Sequence, residues 1–150
     1  MEKKKEKKIE VLMDITLWEG EYEKENKTET WYSTSLEFFA TIVDEQTSMI
    51  QFLAQRLKPP SDRRRRDIMY HLLCDIPFYL VHKSRNRVRF NTYMTLDRWL
   101  ALQTICQEKF TLTQEMYEEW LKMSTESLER ELKAIYLASE IRGDEDATAK

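Results

Sequence analysis

The stretch PSDRRRRDIMYHLLCDIPFYLVHKSRNRVRF, from Pro60 to Phe90, decides how the whole chain is read. Ser61 or Asp62 is placed to cap a helix, since a side-chain oxygen there can accept from an otherwise unpaired amide of the first turn. Ile68, Met69, Leu72, Leu73, Ile76 and Leu80 then recur at helical spacing. Pro77 kinks this helix or splits it in two, because proline lacks the amide that a continuing helix needs. The SRNRVRF segment that follows reads as a loop or a short strand.

Working outward, the segment before it begins a helix at Thr34, where Thr34 and Glu37 have the spacing of a reciprocal cap. Phe39, Ile42, Val43, Ile50, Leu53 and Leu57 form its apolar stripe, and Pro59 and Pro60 end it. Nearer the N-terminus, Ile9, Val11, Met13, Ile15 and Leu17 alternate strictly, a period of two that predicts a strand. Gly20 and EGEYEKENK read as a loop, and TETWYST, residues 28–34, as a second strand of a hairpin. Downstream, Thr95 caps LDRWLALQTICQEK, with Trp99, Leu102 and Cys106 on its apolar side. Residues 113–142 carry Tyr117, Leu121, Leu128, Leu132 and Ile135 on one stripe, and Gly143 is placed to end that helix. A break around Ser124, Thr125 and Ser127 would divide it into two.

These elements predict a mainly α fold, a compact bundle of four or five helices with a possible small N-terminal β-hairpin. The expected organisation is a charged tail at 1–8, a single helical domain at 9–142 and a polar tail at 143–150.

Net charge is −3, but the charges are segregated. Residues 1–55 carry 7 Lys and Arg against 12 Asp and Glu, residues 56–98 carry 11 against 4, and residues 99–150 carry 6 against 11. A local field of this kind acts within a Debye length of about 8 Å at physiological salt, so the basic centre weighs more in partner choice than the net charge does.

Arg63 to Arg66 fill a first helical turn, where cations oppose the helix dipole by about 0.3–1 kcal/mol each. Successive residues advance by about 100°, so only Arg63 and Arg66 share a face. An extended SRNRVRF would set Arg85, Arg87 and Arg89 on one side and Val88 and Phe90 on the other. Together with Lys83, such a row can follow a nucleic-acid backbone, with Phe90 or Tyr93 available to stack on an unpaired base.

TQEMYEEWLKMSTESLEREL, residues 113–132, resembles a helix-turn-helix segment, with Met123 before the turn and Leu128 and Leu132 facing inward. The resemblance implies a helix that reads the major groove. Glu126, Glu129 and Glu131 on that helix outnumber Arg130 and Lys133, and carboxylates repel phosphates. The expectation carried forward is a continuous bundle helix.

Two glycines, Gly20 and Gly143, leave no phosphate-cradling loop, which excludes P-loop and dinucleotide-binding enzymes. His71, Cys74, His82 and Cys106 have neither Cys-x-x-Cys nor His-x-x-x-His spacing, so no metal, cofactor or catalytic residue is expected. Cys74 and Cys106 read as buried thiols of a reduced cytoplasmic protein. The basic opening lacks a small-residue cleavage site and reads as a solvated tail rather than a signal peptide. The longest apolar run, Ile76 to Val81, falls far short of the roughly 20 residues a spanning helix needs.

The expected function is a non-enzymatic binding protein that contacts DNA or RNA phosphates, or sits in a nucleoprotein complex, through Arg63, Arg66, Lys83, Arg85, Arg87, Arg89 and Phe90. The alternative is a regulator or inhibitor of the kind viruses and mobile elements encode, active in the host cytoplasm. It would occupy the basic channel of an RNA polymerase or a nuclease complex through Glu115, Glu118, Glu119, Glu126, Glu129 and Glu131. Neither reading needs a small-molecule substrate or a membrane.

Overall fold

The computed structural model describes residues 8–40 and 56–148, with side chains through Arg142. In chain order the elements are β1 (Lys8–Lys24), β2 (Lys27–Ala40), β3 (Arg56–Leu57), α1 (Arg63–Leu73), β4 (Tyr79–Lys83), β5 (Arg87–Thr95), α2 (Leu96–Cys106), α3 (Gln114–Lys122) and α4 (Thr125–Thr148). The expected mainly α bundle is therefore corrected to an α+β fold with a five-stranded sheet of order β3-β2-β1-β5-β4. The chain divides into two compact units, residues 10–58 with 77–93, which hold most of the sheet, and a helical unit formed by the remaining described residues.

The expected hairpin is present but much longer than the sequence suggested. β1 and β2 pair antiparallel from Val11↔Ala40 to Lys24↔Lys27. The expected loop at Gly20 to Lys27 is instead strand, closed by a two-residue turn in which Glu25 (φ 53°) and Asn26 (φ 63°) are both left-handed. Two left-handed central residues define the primed turn whose twist matches the flanking strands. Asparagine tolerates that region, and Glu25 is held there by the ladder on either side.

The helix expected from Thr34 is overturned where it is described. Thr34–Ala40 is the end of β2, and Arg56–Leu57 is β3, pairing with Phe38 and Phe39. The remainder of that expected helix, including Ile42, Val43, Ile50 and Leu53, lies outside the described residues. TSLEFFA has a period of two as well as of 3.6: Leu36, Phe38 and Ala40 oppose Ile15, Met13 and Val11 on one face. Phe38, Ala40, Val11 and Leu57 are buried. A seven-residue segment satisfies both templates, and pairing along β1 selects the strand.

The helix expected through Leu80 is overturned past Leu73. Asp62 Oδ1 accepts from the Arg64 amide at 2.9 Å, so the predicted cap holds, but α1 stops four residues before Pro77. Tyr79–Lys83 becomes β4, antiparallel to β5 with an irregularity between Leu80 and His82. Thr92 Oγ1 donates to the Pro77 carbonyl at 2.8 Å, so Pro77 fixes the entry to this hairpin. β4 is exposed throughout, which is why its apolar residues mimic a helix stripe without belonging to a core.

In the helical unit, α2 packs on α1 and α4, and α3 packs on α1. Trp99 through Ile105 are all buried, and a helix apolar nearly all round occupies a centre. Thr95 Oγ1 accepts from the Arg98 amide at 3.2 Å, as its position before a helical pattern predicts. The buried Thr104 hydroxyl lies 2.9 Å from the Leu100 carbonyl and 3.0 Å from that of Leu132, tying α2 to α4. The expected continuous helix over 113–142 is two helices, divided at Met123 and Ser124. Ser124 Oγ accepts from the Ser127 amide at 3.2 Å and so caps α4. α4 continues to Thr148, so Gly143 does not end it.

Candidate functional site

The sheet unit presents a polar face built by strand alternation. Successive side chains point to opposite sides of a strand, and residues directly opposite across a ladder share a face. On β1 the series is Leu12, Asp14, Thr16, Trp18, Gly20 and Tyr22, with Phe39, Glu37, Ser35, Ser33, Trp31 and Glu29 opposite on β2. β5 runs antiparallel to β1, since the Leu17 amide donates to the Asn86 carbonyl at 2.7 Å and the Tyr93 hydroxyl donates to Glu10 at 3.0 Å. Arg87 and Arg89 thereby reach Asp14.

Asp14 is the anchor of this face. Arg89 donates to it twice, Nε to Oδ1 at 2.7 Å and Nη2 to Oδ2 at 3.1 Å, and Arg87 Nη2 donates to Oδ2 at 2.6 Å. Asp14 is 7 % exposed, and a buried carboxylate needs such partners. The hydrogen bond from Arg89, then that from Arg87, holds the Asp14 carboxyl below its usual value against the opposing effect of burial. Two guanidiniums on one carboxylate leave a net positive charge.

Arg89 also lies over the Phe39 ring at 5.8 Å, with Arg56 over the same ring at 5.9 Å. Cation–π placement orients both guanidiniums, and Arg56 remains largely exposed. Glu37, directly opposite Asp14, has Arg56 at 3.5 Å and Lys58 at 4.0 Å. Asp14, Glu37, Phe39, Arg56, Arg87 and Arg89, with Thr16, Trp18 and Ser35, line a shallow open depression of about 220 Å³. Trp18 Nε1 donates to Ser35 Oγ at 2.9 Å, yet the indole is 55 % exposed.

Beyond Leu17 the β1–β2 ribbon is exposed on both faces. One face carries the exposed rings of Trp18, Tyr22 and Trp31, along with Lys24 and Lys27 near the turn. The Tyr22 hydroxyl donates to Glu29, which raises the tyrosine pKa. The opposite face carries Glu19, Glu21 and Glu23 against Tyr32, Thr30 and Thr28. The depression and the aromatic side of the ribbon thus form one continuous face, with Arg56, Arg87, Arg89, Lys24 and Lys27 against Asp14, Glu37 and Glu29.

Of the residues singled out in the sequence, Arg87 and Arg89 are brought together here. Arg85 lies in the exposed turn between β4 and β5, where the Ser84 amide donates to the Arg87 carbonyl at 2.8 Å, and Lys83 ends β4, also exposed. Phe90 pairs with Leu80 and points away from the Arg89 side, half-buried, whereas Tyr93 stands exposed on the Arg89 side. Arg63 and Arg66 belong to the helical unit, exposed and without an ion-pair partner among the described residues. Between them, Arg64 Nη1 donates to Gln114 Oε1 at 3.1 Å, while Arg65 donates to the Gln107 carbonyl and lies over Phe110 at 5.7 Å.

The expected acidic set divides. Glu129 is buried and sits 2.7 Å from Arg98 Nε; burial pushes its pKa up, and Arg98 counteracts this. Glu131 accepts from Trp120 Nε1 at 3.1 Å, and Glu118 accepts from Gln114 at 3.2 Å. Glu115, Glu119 and Glu126 are exposed. Cys74 is exposed rather than buried, just past the end of α1; Cys106 is half-buried, and burial raises its thiol to about 12. Among the described residues no group of three or more His, Cys, Asp and Glu is placed to hold a metal.

Asp14, Glu37, Arg56, Trp18 and Trp31 were not found as a site from the sequence. The period of two in β1 was visible to Leu17, and carrying it on through Glu19, Glu21 and Glu23 would have aligned Trp18, Gly20 and Tyr22. The partners from β2, β3 and β5 are separated by tens of residues and carried no local signal. No protein-family model, curated protein or solved structure matches the chain.

Proposed function

We propose that the chain is a non-enzymatic binding protein that holds single-stranded nucleic acid on the arginine and aromatic face of its sheet. The observation that supports this reading most is the combination on one face of Arg56, Arg87 and Arg89 with the exposed rings of Trp18 and Trp31. Single strands are held where cations follow phosphates and aromatic planes accept bases, whatever the sequence. Asp14 and Phe39 hold Arg89 in place before any ligand arrives, which reduces the ordering cost of binding. We place the protein in the cytoplasm, the reducing compartment that two free thiols fit. No described helix is long and apolar enough to cross a membrane.

The test is fluorescence anisotropy with short labelled RNA and DNA single strands at about 50 mM and about 200 mM salt. The expected result is affinity that falls with salt at a slope near −0.7 per phosphate contact, and about 1–3 kcal/mol lost in Trp18→Ala. Absence of affinity at the lower salt, or affinity unchanged in Arg87→Ala combined with Arg56→Ala, overturns the reading.

A second reading, binding to a basic partner of a nucleic-acid machine, is favoured by Glu19, Glu21 and Glu23 on the other face of the ribbon. It predicts capture of a nucleic-acid-processing protein that is lost when these three become Gln. Capture unaffected by that change counts against it.

A further inference from the structure

The depression contains an acceptor with little to accept. Glu37 makes no hydrogen bond among the described residues; its cations stand at 3.5 Å and 4.0 Å, and both are mostly exposed. Asp14 directly opposite is saturated by Arg87 and Arg89, so Glu37 is the open carboxylate of the pair. Beside it stand a half-exposed indole plane, Trp18, and two guanidiniums, Arg56 and Arg87. Arg87 donates to Asp14 through Nη2 alone, leaving its other nitrogens for a ligand.

We infer that this depression receives an unpaired guanine base, an inference that rests on the single-strand reading above. Guanine is the base that turns two adjacent donors, N1–H and the 2-amino group, toward a single carboxylate. It also offers O6 and N7 as acceptors, the pair that arginine recognises in a bidentate manner. Glu37 takes the two donors, a guanidinium of Arg56 or Arg87 takes O6 or N7, and Trp18 supplies the stacking plane. Adenine has a ring nitrogen acceptor where guanine has N1–H, so it would set a lone pair against the carboxylate. Uracil and unprotonated cytosine each present a single donor on that edge. A carboxylate facing an unmatched acceptor is left desolvated and unpaired, which is how a polar pocket rejects a near relative.

The experiment compares heptanucleotides with a central guanine, adenine, inosine or uracil in an otherwise all-uridine tract, titrated into the full chain and into Glu37→Gln. The expected result is about tenfold preference for guanine over adenine, with inosine intermediate because it lacks only the 2-amino donor. In Glu37→Gln the preference moves toward adenine, whose N1 and N6 match the donor and acceptor of a carboxamide. A merely structural role for Glu37 would lower all affinities together and leave the ratio in place. Equal binding of all four strands, or a guanine preference that persists in Glu37→Gln, overturns the inference while the single-strand reading stands. Failure of every strand to bind overturns both.

Discussion

The indole of Trp31 lies across the α-carbon of Gly20, its cross-strand partner, so closely that a β-carbon at position 20 would fall 2.3 Å from the ring. Gly20 has no positive φ, so its requirement is space for the ring rather than backbone freedom. The indole shields a bare stretch of backbone in a two-stranded ribbon that has no core of its own. Gly20→Ala is expected to displace the indole, red-shift its fluorescence and cost about 0.5–1 kcal/mol, the worth of one good cross-strand pair. In Trp31→Ala the same substitution costs less, a non-additivity that a double-mutant cycle in denaturant measures.

The turn at Glu25 and Asn26 offers a gain. Both residues are left-handed, and glutamate is poorly suited to that region. Replacing the pair by Asn-Gly, the preferred sequence for this turn, relieves the roughly 1–2 kcal/mol left-handed cost of a non-glycine residue, offset in part by glycine's larger entropy loss, and is expected to raise the melting temperature. An unchanged or lower melting temperature would mean that the described turn is not the one populated.

Asp14 predicts acid lability. Its folded pKa is lowered from 3.8, first by Arg89, so the stability it contributes is fully present above 3.8 and is lost as pH falls through the lower folded value. Urea midpoints measured from pH 5 downward are expected to fall over that window in the native chain. Asp14→Asn loses about 1–3 kcal/mol at neutral pH and lacks this component of the acid decline.

Glu129 predicts the opposite slope. Its partner Arg98 also donates to the Leu72 carbonyl at 2.8 Å and to Asp75 at 2.5 Å. Burial raises the Glu129 pKa above 4.5, so the stability linked to its protonation is present below 4.5 and is lost as pH rises through the folded value. Arg98→Met leaves Glu129 unpaired and is expected to cost about 3–5 kcal/mol near neutral pH. Adding Glu129→Gln should recover part of that loss; no recovery would show that Leu72 and Asp75 account for the role of Arg98.

The thiols should separate cleanly. Cys74 is exposed and Cys106, raised to about 12 by burial, is not ionised near neutral pH. An aromatic disulfide reagent at mildly alkaline pH is expected to titrate one thiol in the native chain and two in denaturant. Fast modification of both without denaturant would contradict the burial of Cys106.

The sequence by itself determined what depends on neighbours close in the chain. Asp62 and Thr95 were recognisable as helix caps because a cap is a relation across two or three residues, and β1 was recognisable because its alternation is unbroken from Ile9 to Leu17. The concentration of arginine in the middle of the chain was equally plain. Only the tertiary structure decided the rest. Thr34–Ala40 and Tyr79–Lys83 are short enough to fit either period, and each became strand because a partner, β1 or β5, supplied hydrogen bonds along its length. Asp14, Glu37, Arg56 and Arg89 became one face for the same reason, since strand pairing brings together residues whose separation in sequence leaves no pattern to read.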